Sequence, residues 1–416
     1  MLFALALHLG APAAEPIEPD PAAEGVKAKP WDRVGWGWGA LPIVSYNSDE
    51  GFGFGALGSL YRYDGGQQPY RTGVTLNLFG TSRGLQVHYL QVDALGVADS
   101  ALRLIVRAGV EATPIDNYCG IGHDVTCDVT VAQAAADETR LTGEARDDLV
   151  RRFYRNRYVY PELRINARYA VDPMPHRVEL LFGYRASYIV TGTFGESTPW
   201  PGSLFERDFG EGERGLVSVV EVGAMLDNRD NEPAPVRGYW VEGSLRAAPS
   251  FLGSDYRYVG FNTTLRGYVP VFTERLVLAD RIVVDAISGS APIRELATPG
   301  GSQRYTGYGS QYAGRGIRQR RFVGETFAMN QAELRWLVAP FAVAGVDVDL
   351  HVVGFVDVGF VGAEFDDFGE MFGTPLPGGG GGVRIAVDKN FIVRADVGLS
   401  GLESGPGVYI DINHLF

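Results

Sequence analysis

The sequence predicts an all-β fold, a transmembrane antiparallel β-barrel of about sixteen strands. Three observations carry this. Alternating apolar and polar positions recur from Gly35 to Phe416. No apolar run reaches the roughly 18–20 residues that a membrane helix needs. The connections between alternating segments sort by length, short on one rim and long on the other. The chain has 416 residues and a formal net charge of −13. It is longer than most single soluble domains, and its acidic balance lacks the basic footprint of a nucleic-acid-binding protein.

The elements follow in order. Met1–Gly10 is apolar and is followed by Ala11-Pro12-Ala13-Ala14, so residues 1–14 read as a secretory signal with small residues before the cleavage point, although the usual Lys or Arg is missing. Residues 15–33 are rich in Pro, Ala and Glu and read as a flexible periplasmic tail, too short and polar to fold, which leaves no room for a separate N-terminal domain. Residues 34–416 are the barrel. The expected strands are 35–46, 51–63, 70–80, 84–93, 101–111, 152–170, 176–191, 213–227, 236–248, 255–269, 275–287, 325–338, 346–360, 378–387, 391–399 and 407–416.

A period of two marks a strand, because successive side chains point to opposite faces. In Ala101–Glu111, Leu102, Leu104, Val106, Ala108 and Val110 oppose Arg103, Arg107 and Glu111. In Arg151–Tyr169, Val159, Leu163, Ile165 and Ala167 oppose Tyr158, Tyr160, Glu162, Arg164 and Arg168. In Arg177–Val190, Leu180, Phe182 and Tyr188 oppose Glu179, Arg185 and Ser187. In Tyr256–Val269, Val259, Phe261, Leu265 and Val269 oppose Tyr258, Asn262, Thr264 and Arg266. In Val346–Phe360, Val352, Val356, Val358 and Phe360 oppose Asp347, Asp349, His351 and Asp357. Gln86–Asp93 and Leu276–Ala286, with Asp280, break the pattern and call for a bulge or a local exception.

An apolar face opposite a charged one fits a soluble sandwich or a barrel wall between lipid and a wet lumen. The connections decide between them. Those at 64–69, 94–100, 172–175, 228–235, 271–274, 339–345 and 388–390 are short; those at 112–150, 191–212, 288–324 and 361–377 are the long ones of the opposite parity. A soluble sandwich has no reason to sort its loops this way, whereas an outer-membrane barrel does. The apolar residues then face lipid. Trp31, Trp36, Trp38 and Trp336 fall near periplasmic strand ends, where interfacial aromatics are favoured. Cys119 and Cys127 lie close together in a polar stretch and read as a disulfide in an exported protein. Two thiols with only His123 near them do not make a zinc site, so neither a metal nor a cofactor is expected.

The final segment, Gly407–Phe416, sets Val408, Ile410, Ile412 and Phe416 on the lipid parity and Asp411 and Asn413 on the other. With Tyr409, Ile410 and Ile412, the terminal Phe416 resembles the signal that the barrel-assembly machinery reads in its clients. Upstream, the long loop carries Gly314-Arg315-Gly316-Ile317, and a later strand carries Gly354-Phe355-Val356-Asp357-Val358-Gly359. An Arg-Gly loop followed by a Gly-Phe-x-Asp-x-Gly strand resembles the bacterial surface antigen superfamily. That group includes the central subunit of the barrel-assembly machinery, its translocation-assembly relative and two-partner secretion transporters. Leu226-Asp227-Asn228-Arg229-Asp230 with Pro235 and Gly238, Ala332-Glu333-Leu334-Arg335 and Val393-Arg394-Ala395-Asp396-Val397-Gly398 extend the likeness over Gly35–Phe416.

The resemblance implies that Arg315 and Gly316 fold into the lumen and that Arg315 pairs with Asp357, locking the loop. Arg318, Arg320 and Arg321 are rival partners, and Ile317 stands where the family usually has an aromatic. It also implies a bacterial outer-membrane location and a role in outer-membrane protein assembly or polypeptide translocation. The partners it implies are outer-membrane lipid, the barrel-assembly machinery during biogenesis, and periplasmic partner or client proteins. The alternative is a pore or structural barrel with the same fold and no such activity.

An enzyme is not expected. None of His8, His88, His123, His176, His351 and His414 sits in a hydrolase or metalloprotease frame. His88 and His351 read as lumen lining by parity. The run Gly378–Gly382 opens a strand without a following Lys-Ser/Thr helix, so it is not a phosphate loop; it lets the wall bend or a loop approach closely.

Overall fold

The computed structural model describes residues 34–66, 69–172, 177–192, 202–343, 346–387 and 391–416. The signal at 1–14, the tail at 15–33, Trp31 and His176 lie outside the described residues.

Sixteen strands close into one antiparallel barrel, each bonded to its neighbours in sequence and the last returning to the first. The first eight are β1 (Val34–Asn47), β2 (Gly51–Asp64), β3 (Thr72–Thr81), β4 (Gln86–Ala94), β5 (Leu102–Asn117), β6 (Arg155–Asp172), β7 (Arg177–Thr191) and β8 (Arg214–Asp227). The second eight are β9 (Gly238–Ala248), β10 (Arg257–Val271), β11 (Thr273–Ser290), β12 (Thr326–Val343), β13 (Val346–Gly362), β14 (Leu376–Val387), β15 (Phe391–Leu399) and β16 (Gly407–Ile412). Closure pairs backbone groups that an open sheet would leave bare in lipid.

The two faces differ as the alternation requires. Leu76, Leu90, Phe182, Val222, Leu245, Val356 and Ile385 are exposed on the outside, while Arg185, Arg246, Arg281, Glu333 and Arg384 are buried on the inside. Trp36, Trp38 and Trp336 are all more than half exposed, as expected of outward aromatics near a strand end. The connections keep their parity. One rim carries short turns such as 95–101 and the single residue 272; the other carries 118–154, 291–325 and 363–375. The connection 118–154 holds two helices, α1 (Val129–Asp137) and α2 (Glu144–Arg152), and a disulfide joins Cys119 to Cys127.

Three sequence expectations change. β4 needs no bulge: its register with β3 and β5 is unbroken, and Gln91 and Asp93 point inward to Arg107 and Arg103. His88 therefore shares its parity with Leu90 and Val92 and lies on the outward face, not in the lumen. β11 keeps an unbroken register and Asp280 is the local exception in its apolar row, facing outward and accepting a hydrogen bond from Asn330.

The third change concerns the last segment. β16 ends at Ile412, because Asn413 adopts a left-handed backbone with φ of 67° and turns the chain inward. Phe416 leaves the lipid parity and is buried beside Tyr268, under the guanidinium groups of Arg281 and Arg335. Its carbonyl accepts a hydrogen bond from Arg335 at 3.0 Å. The seam between the first and last strands is short. β1 and β16 share two registered pairs, Tyr46 with Ile410 and Asn47 with Tyr409, against fourteen between β1 and β2.

Candidate functional site

Residues 291–325 contain one short helical turn, α4 (Ile293–Leu296), and little other regular backbone. Their polar groups must therefore find partners beyond their own segment. Arg315 finds them on the inward faces of β12 and β13. Its Nε and Nη2 donate to the two oxygens of Asp357 at 2.9 and 2.8 Å, and its backbone N–H donates to the same carboxylate at 2.9 Å. Nη1 donates to Glu333 at 2.6 Å. The guanidinium lies over the Phe355 ring, 3.4 Å from its centroid. A planar fork can meet a carboxylate on one edge while its face stacks on an aromatic ring, a combination that a Lys ammonium does not provide. Burial disfavours the charge of Arg315, but Asp357, Glu333 and Asp396 outweigh it and hold the guanidinium above its ordinary pKa.

The pair is part of a larger lattice. Arg335 donates to Glu333 at 2.8 Å, and Arg384 bonds Asp396 and reaches Glu333 at 3.4 Å. Arg315, Arg335 and Arg384 thus face Asp357, Glu333 and Asp396, and all six are buried. A balanced set of this kind avoids the penalty of one uncompensated buried charge. Glu333, Arg335 and Asp396 come from segments that the sequence singled out only as supporting matches.

Glycine makes room for the contact. Gly316 has φ of +94°, and a Cβ on it would meet the Leu399 backbone at 2.6 Å; a Cβ on Gly398 would meet the Gly316 nitrogen at 2.6 Å. Gly378 lies as close to the Arg315 carbonyl, and Gly359 receives the Tyr308 ring. Gly354, the other glycine of the strand motif, faces open space. The glycine run on β14 therefore serves close approach. Ile317 is buried with Tyr308, Phe322 and Phe327. Gly316 N–H donates to the Tyr409 hydroxyl at 3.0 Å, so Tyr409 faces inward, while Ile410 and Ile412 face outward and are exposed.

The rival arginines have partners of their own. Arg318 and Arg321 pair with Glu403, and Arg320 pairs with Asp116 and Glu111 on β5. A second anchor, not anticipated from sequence, sits at α4. Glu295 accepts from both terminal nitrogens of Arg185 on β7 at 2.8 and 2.7 Å, from Tyr258 on β10 at 2.6 Å and from Arg304 at 2.9 Å. Burial works against its charge, but Arg185 and Arg304 prevail and hold the carboxyl well below the usual range. Arg294 beside it bonds Glu111 at 2.8 Å. At the rim, Glu213 accepts the Ile293 N–H at 2.9 Å, and burial raises its pKa from 4.5 to about 7.

The signal for this second anchor was available. Arg185 and Tyr258 are polar positions on lumen faces, and Arg294-Glu295 is a charged pair inside an otherwise apolar stretch. What alternation does not encode is which loop charge meets which wall charge. The Glu295 anchor draws on β5, β7 and β10, and the Arg315 anchor on β12, β13, β14 and β15, so residues 291–325 are tied to both halves of the strand order. The arrangement offers no nucleophile–base pair, and among the described residues no cluster of three or more His, Cys, Asp or Glu is placed to hold a metal.

A family model described as the Omp85 superfamily domain matches residues 152–391. No curated protein matches the sequence. Among solved structures, BamA from Haemophilus ducreyi lacking POTRA domains 1–3 is similar at a TM-score of 0.55 and 13% identity, over 92% of this chain and 70% of that one. CdiB from Escherichia coli is similar at 0.59 and 10% identity, over 94% and 63%. CdiB from Acinetobacter baumannii is similar at 0.50 and 12%, over 90% and 59%, so this chain spans less than two thirds of either CdiB chain.

Proposed function

The chain belongs to the Omp85 superfamily of outer-membrane β-barrels, and from that premise we propose that it assists the assembly of outer-membrane proteins or the translocation of polypeptides, using the β1–β16 seam as its working edge. The observation that carries this reading is the seam itself. Two registered pairs close it, and among the described residues Val34–Ser45 of β1 have no partner strand on that side. An unpaired edge is a template for an extended polypeptide, which adds a strand through backbone hydrogen bonds and needs little sequence specificity. The polypeptides that fit are chains presenting an open β-edge of their own.

In the same reading the connection 291–325 occupies the lumen as a plug, with Arg315, Gly316 and Asp357 as its lock and the Glu295 anchor as its second hold. A plugged lumen favours work at the seam over passive solute flow, which distinguishes this role from that of a pore sharing the fold. Photo-crosslinking residues placed at Gly37 and Gly39 of β1 test it in cells. The expected result is covalent adducts with outer-membrane or exported polypeptides. Equal yields from the same probe at Gly243, exposed on β9 far from the seam, would sink the proposal.

A further inference from the structure

The outward face of β11 presents Leu276, Leu278, Asp280, Ile282 and Val284, a carboxylate in the middle of an apolar row. Asn330, on the outward face of β12, donates from Nδ2 to Asp280 Oδ1 at 2.9 Å. Directly across from Asp280 stand Gly267 on β10 and Ala332 on β12, so its register neighbours are small. Asp280 lies four residues from Leu276, which pairs with Trp336. That separation is about 10 Å along the membrane normal at ~3.3 Å per residue and a strand tilt of ~40°. The pair therefore sits within the hydrocarbon belt, where polar groups are unfavourable and mark function or contact.

Its bonding is incomplete. Among the described residues no group reaches the second carboxylate oxygen of Asp280 or the amide oxygen of Asn330. The other contact of Asn330 Nδ2, to the Arg281 carbonyl, is long at 3.5 Å and leaves an N–H available.

We propose that the β10–β12 face is a homodimer interface within the membrane, with Asp280 and Asn330 at its two-fold axis. The argument for a second copy is self-complementarity. A two-fold contact sets each residue against the other's partner. Rotation by a half-turn brings the free N–H of one Asn330 to the free oxygen of the other copy's Asp280, and closes a ring of four side chains. Gly267 and Ala332 let the two walls approach closely, as small residues do where membrane segments pack. The face is centred five strands from β16, so a dimer leaves the seam open, and the inference stands independently of the proposed seam function.

The test uses the full chain in its membrane. Ala332→Cys is oxidised in isolated outer membranes, where Cys119 and Cys127 are already joined to each other. The expected product is a band of twice the monomer mass. Adding Asp280→Leu or, separately, Asn330→Leu lowers its yield about tenfold, while heat-modifiable mobility on gels shows that the barrel remains folded. A monomeric Ala332→Cys protein, an undiminished dimer in both Leu variants, or a cross-link to a different protein would each overturn the proposal.

Discussion

Asp357→Asn leaves the Arg315 guanidinium fully buried against one fewer charge. Removing one partner of a buried pair costs about 3–5 kcal/mol, so the contact of residues 291–325 with the wall weakens. Limited proteolysis is expected to cut within 288–324 in the variant and not in the parent; unchanged protection would refute the lock. A second effect belongs to Glu213. Its pKa is about 7 in the folded protein, above the ordinary 4.5, because burial outweighs the Ile293 N–H that favours its charge, so folding takes up a proton. The contribution of this group is full below about pH 4.5, declines as the pH rises to about 7 and is flat above that. The midpoint of thermal unfolding, read as loss of heat-modifiable mobility, is therefore expected to be higher at pH 5 than at pH 8, and Glu213→Gln should flatten the difference; an unchanged slope would assign the dependence to another group.

At the scale of elements, β14 and β15 are shaped by what they must admit. Gly398→Val on β15 places a side chain where the Gly316 nitrogen now stands, 2.6 Å from a Cβ, whereas Gly354→Ala on β13 fills open space. The first is expected to expose residues 291–325 to protease as Asp357→Asn does, and the second to leave them protected, with both barrels heat-modifiable. Equal behaviour of the two variants would mean that close approach is not what these strands provide. The short β16 is a related case. Alternation reads Gly407–Phe416 as one strand, but one left-handed residue, Asn413, diverts its end inward to Arg281 and Arg335. Period-two patterning has no term for such a turn, because Asn is equally at home in a strand end, a cap or a turn.

For the molecule as a whole, planar-bilayer recordings separate a plugged barrel from a pore. The intact chain is expected to be mostly closed with brief openings, and replacement of 291–324 by a short linker should give a steady, large conductance. A steady conductance from the intact chain would favour the pore. The barrel, its strand count and its facing were legible in the sequence, because lipid and water impose opposite chemistry on alternate residues and the two rims impose different loop lengths. The Arg315–Asp357 juxtaposition was legible only through the resemblance of two motifs, since nothing in local periodicity links a loop to a strand some forty residues away. The tertiary structure alone decided the rest: the Glu295 anchor, the fates of Arg318, Arg320 and Arg321, the outward placement of His88 and Asp280, and the inward turn of Phe416. These depend on closure of the wall, which brings distant charges to one place and allows one rotated residue to redirect a chain end, and such long-range geometry is not written in any single segment.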